Sequence, residues 1–186
     1  MSNRATSAVP LYDTFEDYDR FVNWERRLAH ELPFIETQLE TVGARSVLDV
    51  ACGTGQHALA LAERGYRVVG ADLSSAMIER ARENAADRAQ LGSGAVSFVV
   101  AGFGELVQSG AVPEGGADAL TCLGNSLPHV LSEGDLAATL RDWHAALRPG
   151  GLLLVQNRNF EAVLARRERW MPLLQAEADG REWLFL

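Results

Sequence analysis

Two glycines and an acidic residue at the ends of two apolar segments carry the clearest chemistry of this 186-residue chain. Gly53 and Gly55 follow the segment 46–51, and Asp72 follows the segment 67–71. In an open α/β sheet the ligand lies beyond the carboxyl ends of the strands, where glycine lets it approach the backbone. A carboxylate at the end of the second strand can accept hydrogen bonds from both hydroxyls of a ribose. The pattern therefore predicts a site for a ribose-containing ligand.

The glycine spacing alone leaves the ligand open, because Ala58 can stand in for the third glycine of a dinucleotide fingerprint. Asp49 separates the alternatives, since an ionised carboxylate inside a buried parallel strand is costly unless it has a partner. A pyrophosphate offers no such partner, whereas the ammonium group of S-adenosylmethionine does, and this ligand also carries a ribose. Asp49 therefore favours S-adenosylmethionine, and the alternative for Asp49 is a carboxylate that holds the loop backbone.

The segment 47–55, with the sequence VLDVACGTG, resembles the first motif of the class I S-adenosylmethionine-dependent methyltransferases. The segments 122–129 (CLGNSLPH) and 148–160 (RPGGLLLVQNRNF) are similar to the glycine and sarcosine N-methyltransferases. The resemblance spans the chain from Arg27 to about residue 164. It implies a Rossmann-like α/β fold and transfer of a methyl group from S-adenosylmethionine to a small molecule. The implied acceptor is the nitrogen of an amine or amino acid, and the alternative is a hydroxyl group of a small metabolite. The product of the cofactor would be S-adenosylhomocysteine.

The resemblance also implies which residues contact the cofactor. Ala51 and Gly53 would hold its amino-acid end, and Arg27 would bind its carboxylate as a planar fork. A surface arginine is the alternative for Arg27. Met77 would pack on the adenine, and Leu123 would contact the cofactor through its backbone. The full implied set is Arg27, Asp49, Ala51, Gly53, Gly55, Asp72, Leu73, Met77, Gly102, Phe103 and Leu123.

One position departs from the family pattern. Where the family usually has an Asp or Asn after the third strand to bind the adenine amino group, this chain has Gly102. Adenine recognition would then fall to the backbone near Phe103 and to stacking by its ring. The alternative is that Phe103 belongs to the hydrophobic core.

Three residues are implied on the acceptor side. Methyl transfer from a sulfonium is an in-line displacement, which needs alignment and exclusion of water but no covalent nucleophile and no metal. Arg158 would bind a substrate carboxylate, Asn125 would orient the amine, and His129 would face the methyl-transfer region. A structural histidine is the alternative for His129, and an ion pair at the end of the fifth strand is the alternative for Arg158.

Alternating helix and strand patterns must position these residues, and such alternation is typical of a parallel sheet with helices on both faces. Ser132 and Asp135, in capping-box spacing, open a helix whose apolar face includes Leu140 and Trp143 and which ends at 148–151. The predicted strands are 46–51, 67–71, 96–101, 118–123, 152–157 and 181–186, and the predicted helices between them are 56–64, 75–89 and 132–147.

The chain ends require separate predictions. An apolar stripe from Phe21 to Leu39 predicts two N-terminal helices, the second starting at Pro33, which cap the carboxyl edge of the sheet. We predict a single domain over 1–186, with a helical cap (1–43), a cofactor-binding core (44–160) and the start of a substrate-side segment (161–186). The usual last antiparallel strand is missing, so we expect a truncated chain. The unpaired strand 181–186 would then favour a homo-oligomer.

Composition excludes several function classes. The net charge is −8, and all 17 basic residues are scattered arginines, which argues against nucleic acid as a partner. The two cysteines, Cys52 and Cys122, predict neither a disulfide framework nor a metal site, and the apolar runs are too short to cross a membrane. We expect a cytoplasmic protein with a small-molecule substrate. A nucleotide-dependent oxidoreductase and a non-catalytic cofactor-binding domain remain the alternatives.

Overall fold

A computed structural model describes residue 19 and residues 22–88, 91–92, 94–167, 174–178 and 181–185. Helices and strands alternate through most of this part of the chain, as the sequence predicts. The helices are α1 (Trp24–Thr41), α2 (Gln56–Glu63), α3 (Ser75–Ala86), α4 (Glu133–Ala146) and α5 (Phe160–Arg166), with a 3-10 helix at Leu127–His129. The strands are β1 (Ser46–Val50), β2 (Arg67–Asp72), β3 (Val96–Val100), β4 (Ala117–Cys122), β5 (Leu147–Val155), β6 (Leu174–Ala178) and β7 (Arg181–Phe185).

Five of these strands form one sheet in the order β3-β2-β1-β4-β5, and every pair in it is parallel. Strand β1 is buried along its whole length and has β2 on one side and β4 on the other. The chain thus moves outward from β1 to β3 and then crosses back to β4. Such a reversal opens a crevice at the carboxyl ends of β1 and β4, which is where ligands bind in sheets of this kind.

Apolar side chains of the sheet alternate between two cores, one on each face. Val47 and Val68 pack in the core under α1, α2 and α3. Leu48 and Leu120 pack on the opposite face around Trp143 of α4, which is fully buried. This three-layer arrangement confirms the predicted fold class, a mostly parallel sheet with helices on both faces.

The N-terminal region differs from the expectation. Residues 24–41 form a single helix of 18 residues with Pro33 inside it, not two helices. Proline removes one backbone donor, but the burial of Leu32, Ile35 and Leu39 on one side of α1 holds the helix together. No helix in the described ranges is both long and apolar enough to cross a membrane.

Helix α4 and strand β5 also differ in detail. Ser132 caps α4 as predicted and accepts a hydrogen bond from the Asp135 backbone N–H at 3.1 Å. Leu140 is 42% exposed, because the buried side of α4 is formed by Thr139, Trp143 and Ala146. Strand β5 starts directly after the helix, so the predicted turn 148–151 lies within the strand, at a register shift against β4.

The last predicted strand is present, but the prediction that it is unpaired is wrong. The segment 181–185 does not join the parallel sheet; β7 pairs antiparallel with β6 in a separate two-stranded sheet. Only two residues separate these strands, and a connection that short permits antiparallel pairing, whereas a parallel pair needs a long crossover. Strand β7 therefore has a partner within the same chain, and the argument for an oligomer through an unpaired strand no longer holds.

Candidate functional site

The loop between β1 and α2 has the backbone conformation that its glycines allow. Ala51, Gly53 and Gly55 all have positive φ angles, of 55°, 56° and 79°. Among the described residues, a Cβ on Gly53 would meet nothing within 4 Å, which leaves its open side accessible to a ligand. A Cβ on Gly55 would lie 2.8 Å from the Phe98 ring. Gly53 thus leaves room for a ligand, while Gly55 leaves room for the core.

Asp72 binds the same loop from the end of β2. Its Oδ2 accepts the Gly53 backbone N–H at 2.8 Å, and its Oδ1 accepts the Ser74 backbone N–H at 2.9 Å. Each carboxylate oxygen has two lone pairs, so one oxygen can accept a backbone N–H and a ribose hydroxyl together. The side chain remains partly exposed. Asp72 therefore fixes the glycine loop and faces the site at the same time.

Asp49 has a protein partner that the sequence analysis did not identify. It lies opposite Thr121 in the register of β1 and β4, and the Thr121 hydroxyl donates to its Oδ1 at 2.8 Å. Burial raises the pKa of Asp49, although the nearby charges of His57 and Arg27 oppose this effect. Only 2% of Asp49 is exposed, so in this conformation a bound ammonium group would interact with its carboxylate through space and not by a direct hydrogen bond.

Arg27 lies beside the loop that follows β4, as the predicted role requires. A Cβ on Gly124 would lie 3.4 Å from the Arg27 guanidinium. Arg27 Nε also donates to both carboxylate oxygens of Glu31, at 3.1 and 3.2 Å, and its guanidinium carbon lies 5.1 Å from the centre of the Trp24 ring. Arg27 is therefore held at the edge of the site by Glu31 and Trp24, and its contact with a cofactor carboxylate stays a prediction.

Glu31 connects α1 to the rest of the site. It accepts hydrogen bonds from Arg27, from His57 Nε2 at 2.7 Å and from Gln156 Nε2 at 3.0 Å. Burial alone would raise the pKa of Glu31, but the hydrogen bonds from His57 and Gln156 and the charge of Arg27 outweigh it and lower the pKa to about 2. Gln156 in turn accepts the Gly124 backbone N–H at 2.9 Å. The N-terminal helix is thus tied to α2 and to the loops after β4 and β5, and its role as a cap on the core stays a prediction.

A second contact reaches the glycine loop from before α1. Asp19 accepts hydrogen bonds from the Thr54 hydroxyl at 2.6 Å and from Asn84 Nδ2 at 3.1 Å. Asn84 also donates to the backbone carbonyl of Thr54 at 3.0 Å. The loop is therefore held on one side by Asp72 and on the other by Asp19 and α3.

The residues predicted at the adenine end lie around the ends of β2 and β3. Leu73 is 52% exposed, whereas Met77 is 6% exposed and presents little free surface. Phe103 packs edge-to-face on Trp143, with ring centres 5.4 Å apart. Phe103 thus contributes to the core, as the alternative interpretation held, and stacking on adenine stays a prediction. Gly102 donates its backbone N–H to Glu105 Oε2 at 2.9 Å.

The residues predicted on the acceptor side lie in the loops after β4 and β5. Asn125 has a positive φ of 66°, and its Oδ1 accepts the Arg158 backbone N–H at 2.9 Å. Leu123 is 7% exposed at the end of β4. His129 ends the 3-10 helix and is exposed. The structure therefore joins Asn125 directly to Arg158, while the contacts of these residues with a substrate stay predictions.

A cavity of about 200 Å³ lies at the opposite edge of the sheet and is lined by residues such as Arg67, Gly94 and Pro113. This edge carries the amino ends of the strands. The glycine loop and the charged residues described above are at the carboxyl ends, where ligands of parallel sheets bind. We therefore place the functional site at the carboxyl edge.

Several residues around this site were missed by the sequence analysis, among them Glu31, His57, Thr121 and Gln156. The spacing of Glu31, four residues after Arg27 on one helix, was a local indication of their ion pair. The other three come from distant segments, with Thr121 72 residues from Asp49 and Gln156 125 residues from Glu31. Only the packing of the elements shows that they belong together.

Residues 47–151 of the chain match the family described as methyltransferase domain. This match starts at β1 and includes the glycine loop, Asp72 and the loop after β4. It spans more than half of the 186 residues. A solved S-adenosylmethionine-dependent methyltransferase from Clostridium acetobutylicum shares the fold, with a TM-score of 0.66 at 17% identity over 91% of this chain and 64% of that chain.

Two curated relatives show how far the likeness extends. The chain is 38% identical over 154 residues to a glycine/sarcosine N-methyltransferase from Parasynechococcus marenigrum, which covers 83% of this chain and 52% of the relative. It is 36% identical over 136 residues to the glycine N-methyltransferase of Rattus norvegicus, covering 66% of this chain and 43% of the relative. The chain thus spans about half the length of these relatives.

Proposed function

Because this chain belongs to the methyltransferase-domain family, whose methyl donor is S-adenosylmethionine, we propose that it transfers a methyl group from this cofactor to a small molecule. The acceptor we propose is the nitrogen of an amine or amino acid. The named substrates of the relatives from Parasynechococcus marenigrum and Rattus norvegicus support this choice.

The observation that carries the proposal is the hydrogen bond from Gly53 to Asp72. It joins the open glycine of the β1 loop to the carboxylate at the end of β2 at a distance of 2.8 Å. A cofactor with an amino-acid end and a ribose needs both groups side by side. The two residues come from neighbouring strands of a parallel sheet, so the fold holds them in place before any ligand binds.

The remaining residues bind the charged groups of the cofactor and orient the acceptor. S-adenosylmethionine supplies an electrophilic methyl group on its sulfonium. Arg27 binds the cofactor carboxylate, and the buried charge of Asp49 favours the positive end of the same amino-acid group. Asn125 and Arg158, joined by their hydrogen bond at 2.9 Å, orient the acceptor at the adjacent loop. The chain contributes alignment and exclusion of water, which an in-line displacement requires.

Calorimetric titration with S-adenosylhomocysteine tests the cofactor site. We expect the wild-type protein to bind and Asp72→Asn to lose about 10- to 100-fold in affinity, the usual worth of a charge-assisted hydrogen bond. An asparagine here would turn its amide nitrogen toward one of two backbone donors, that of Gly53 or that of Ser74. Asp87→Asn, at the exposed far end of α3, is the matched control and should bind normally. Equal affinities for all three proteins would contradict the placement.

The acceptor is tested by transfer of a labelled methyl group to glycine, sarcosine and a panel of amines and hydroxyl compounds. Methylation of an amino-acid nitrogen is the expected result. If the protein binds S-adenosylhomocysteine and methylates nothing in the panel, it is a cofactor-binding domain instead. Binding of NAD without S-adenosylhomocysteine would favour the oxidoreductase.

The remaining proposals concern the protein as a whole. We propose a cytoplasmic location and a substrate other than nucleic acid. The net charge of −8 and the scattering of the basic residues among acids support the second of these two proposals. We also propose one domain, with α1 as a cap on the cofactor-binding core. The hydrogen bonds of Glu31 to α2 and to the β5 loop support this last proposal.

A further inference from the structure

We infer that Glu105 is the residue that selects the adenine base of the cofactor, through its carboxylate at the end of β3. The inference rests on the proposed function, since it concerns the cofactor site described above. Gly102 stands where the Asp or Asn side chain for the adenine amino group is expected, and Glu105 lies three residues beyond it.

The order of the strands gives the direction in which the cofactor must lie. The groups suited to its amino-acid end, Arg27 and the charge of Asp49, lie at β1 and β4. Asp72, suited to its ribose, lies one strand further at β2. The next strand in the same direction is β3, and the Ala101 backbone N–H after it bonds to the Asp72 carbonyl at 2.9 Å. The base, attached to the far side of the ribose, therefore falls at the end of β3.

At the end of β3, the Glu105 carboxylate occupies the space that a side chain on Gly102 would take. Its Oε2 accepts the Gly102 backbone N–H at 2.9 Å, and the Glu105 backbone N–H bonds back to the Gly102 carbonyl at 3.2 Å. A Cβ on Gly102 would lie 3.2 Å from Glu105 Oε2 and 3.1 Å from Leu73 Cδ1. The carboxylate and the exposed Leu73 thus border the same small space. Leu73 offers an apolar face for a ring, and Glu105 offers a charged acceptor at its edge.

This pair of groups distinguishes purines by one substituent. The exocyclic amino group of adenine donates hydrogen bonds, which a carboxylate accepts strongly. A 6-oxo purine carries a carbonyl oxygen at the same atom, and two acceptors facing each other repel. One lone pair of Oε2 and the whole of Oε1 remain for the ligand, because the bond from Gly102 uses only one acceptor site. Glu105 therefore favours adenine over hypoxanthine.

Calorimetric titration with S-adenosylhomocysteine and its deaminated analogue, S-inosylhomocysteine, tests the inference. We expect the wild-type protein to prefer the adenine compound by about 10- to 100-fold, the worth of a hydrogen bond to a charged group. In Glu105→Gln the preference should shrink to a few-fold, because a carboxamide can accept from one base or donate to the other. Glu114→Gln, an exposed residue of the same charge on a later loop, is the control and should keep the wild-type ratio.

A rescue experiment separates recognition from loop structure. Glu105→Ala should lose the preference, and the double variant Glu105→Ala with Gly102→Asp should regain it. Removal of Glu105 takes the carboxylate away from Gly102, and the end of the exposed Leu73 side chain, 3.1 Å from the new Cβ, can move toward solvent. Failure of the wild-type protein to bind S-adenosylhomocysteine would overturn the proposed function together with this inference. Tight binding with the same base preference in Glu105→Gln as in wild type would overturn the inference alone.

Discussion

At the scale of single residues, two carboxylates of the site have pKa values shifted in opposite directions. Asp49 is 2% exposed and accepts a hydrogen bond from the Thr121 hydroxyl, but the cost of burying its charge dominates and its pKa rises. Glu31 is also partly buried, but it accepts hydrogen bonds from Arg27, His57 and Gln156, and its pKa falls to about 2. Burial raises the pKa of a carboxyl group unless cationic and hydrogen-bonding partners compensate.

The lowered pKa of Glu31 implies that the free energy of unfolding depends on pH in the acid range. The native state holds this carboxyl ionised, so its contribution is present above the unfolded value of 4.5 and is lost as the pH falls toward about 2. Glu31→Gln should lower the free energy of unfolding by about 1–3 kcal/mol at neutral pH and flatten its decline in that acid range. Urea unfolding at a series of pH values measures both effects. The exposed Glu79→Gln is the control, and an unchanged acid slope in Glu31→Gln would contradict the assignment.

At the scale of elements, the turn from β1 into α2 combines two requirements on its glycines. Gly55 is the N-cap of α2 with a φ of 79°, a conformation that costs an L-residue about 1–2 kcal/mol. It also faces the Phe98 ring of β3, which would meet a Cβ at 2.8 Å. Strand β3 and helix α3 can therefore pack closely against this turn because Gly55 has no side chain. This packing keeps the start of α2 in place beside the site.

Comparison of two glycine variants separates conformation from packing. Gly65 has a φ of 92° and open space around it, so Gly65→Ala adds only the conformational cost. Gly55→Ala adds the contact with Phe98 as well and should destabilise the protein by about 1–3 kcal/mol more than Gly65→Ala, in line with overpacked cores. Thermal unfolding of both variants measures the difference. Equal losses would show that Phe98 moves aside freely.

Across the whole sheet, the edge at the amino ends of the strands serves a different purpose from the edge at their carboxyl ends. At the amino edge, Asp118 accepts hydrogen bonds from the backbones of Arg45 and Ser46 and from Arg148 Nε. Arg148 also donates to the Val42 carbonyl at 2.9 Å. The hydrogen bond from Arg148 holds the pKa of Asp118 below its usual range. This edge joins α1, β1, β4 and β5, while the carboxyl edge holds the proposed cofactor site.

The separation of the two edges predicts independent effects. Asp118→Asn should weaken the bonds to Arg148 and to the β1 backbone and lower the free energy of unfolding by about 1–3 kcal/mol. Its affinity for S-adenosylhomocysteine should stay at the wild-type value at temperatures well below unfolding. Chemical unfolding and calorimetric titration of the same sample test this directly. A loss of affinity comparable to that of Asp72→Asn would mean that the two edges are coupled.

Local sequence was sufficient for much of the fold because the relevant interactions are close along the chain. Helix α4 starts after Ser132, as the capping-box spacing predicts, and α2 and α3 start at the predicted residues 56 and 75. Local patterns failed where distant contacts decide. Pro33 continues a helix because α1 is buried against the core, and Leu140 is exposed because Trp143 sets the buried side of α4.

For the site, the sequence by itself determined the positions of the glycine loop and of Asp72, since both follow directly from strand ends in a parallel sheet. Tertiary structure decided what surrounds them. It paired Asp49 with Thr121 and joined Glu31 to His57 and to Gln156. A motif specifies the backbone that it forms, but the partner of a buried charge is set by strand register and helix packing. These depend on the apolar faces of the whole chain.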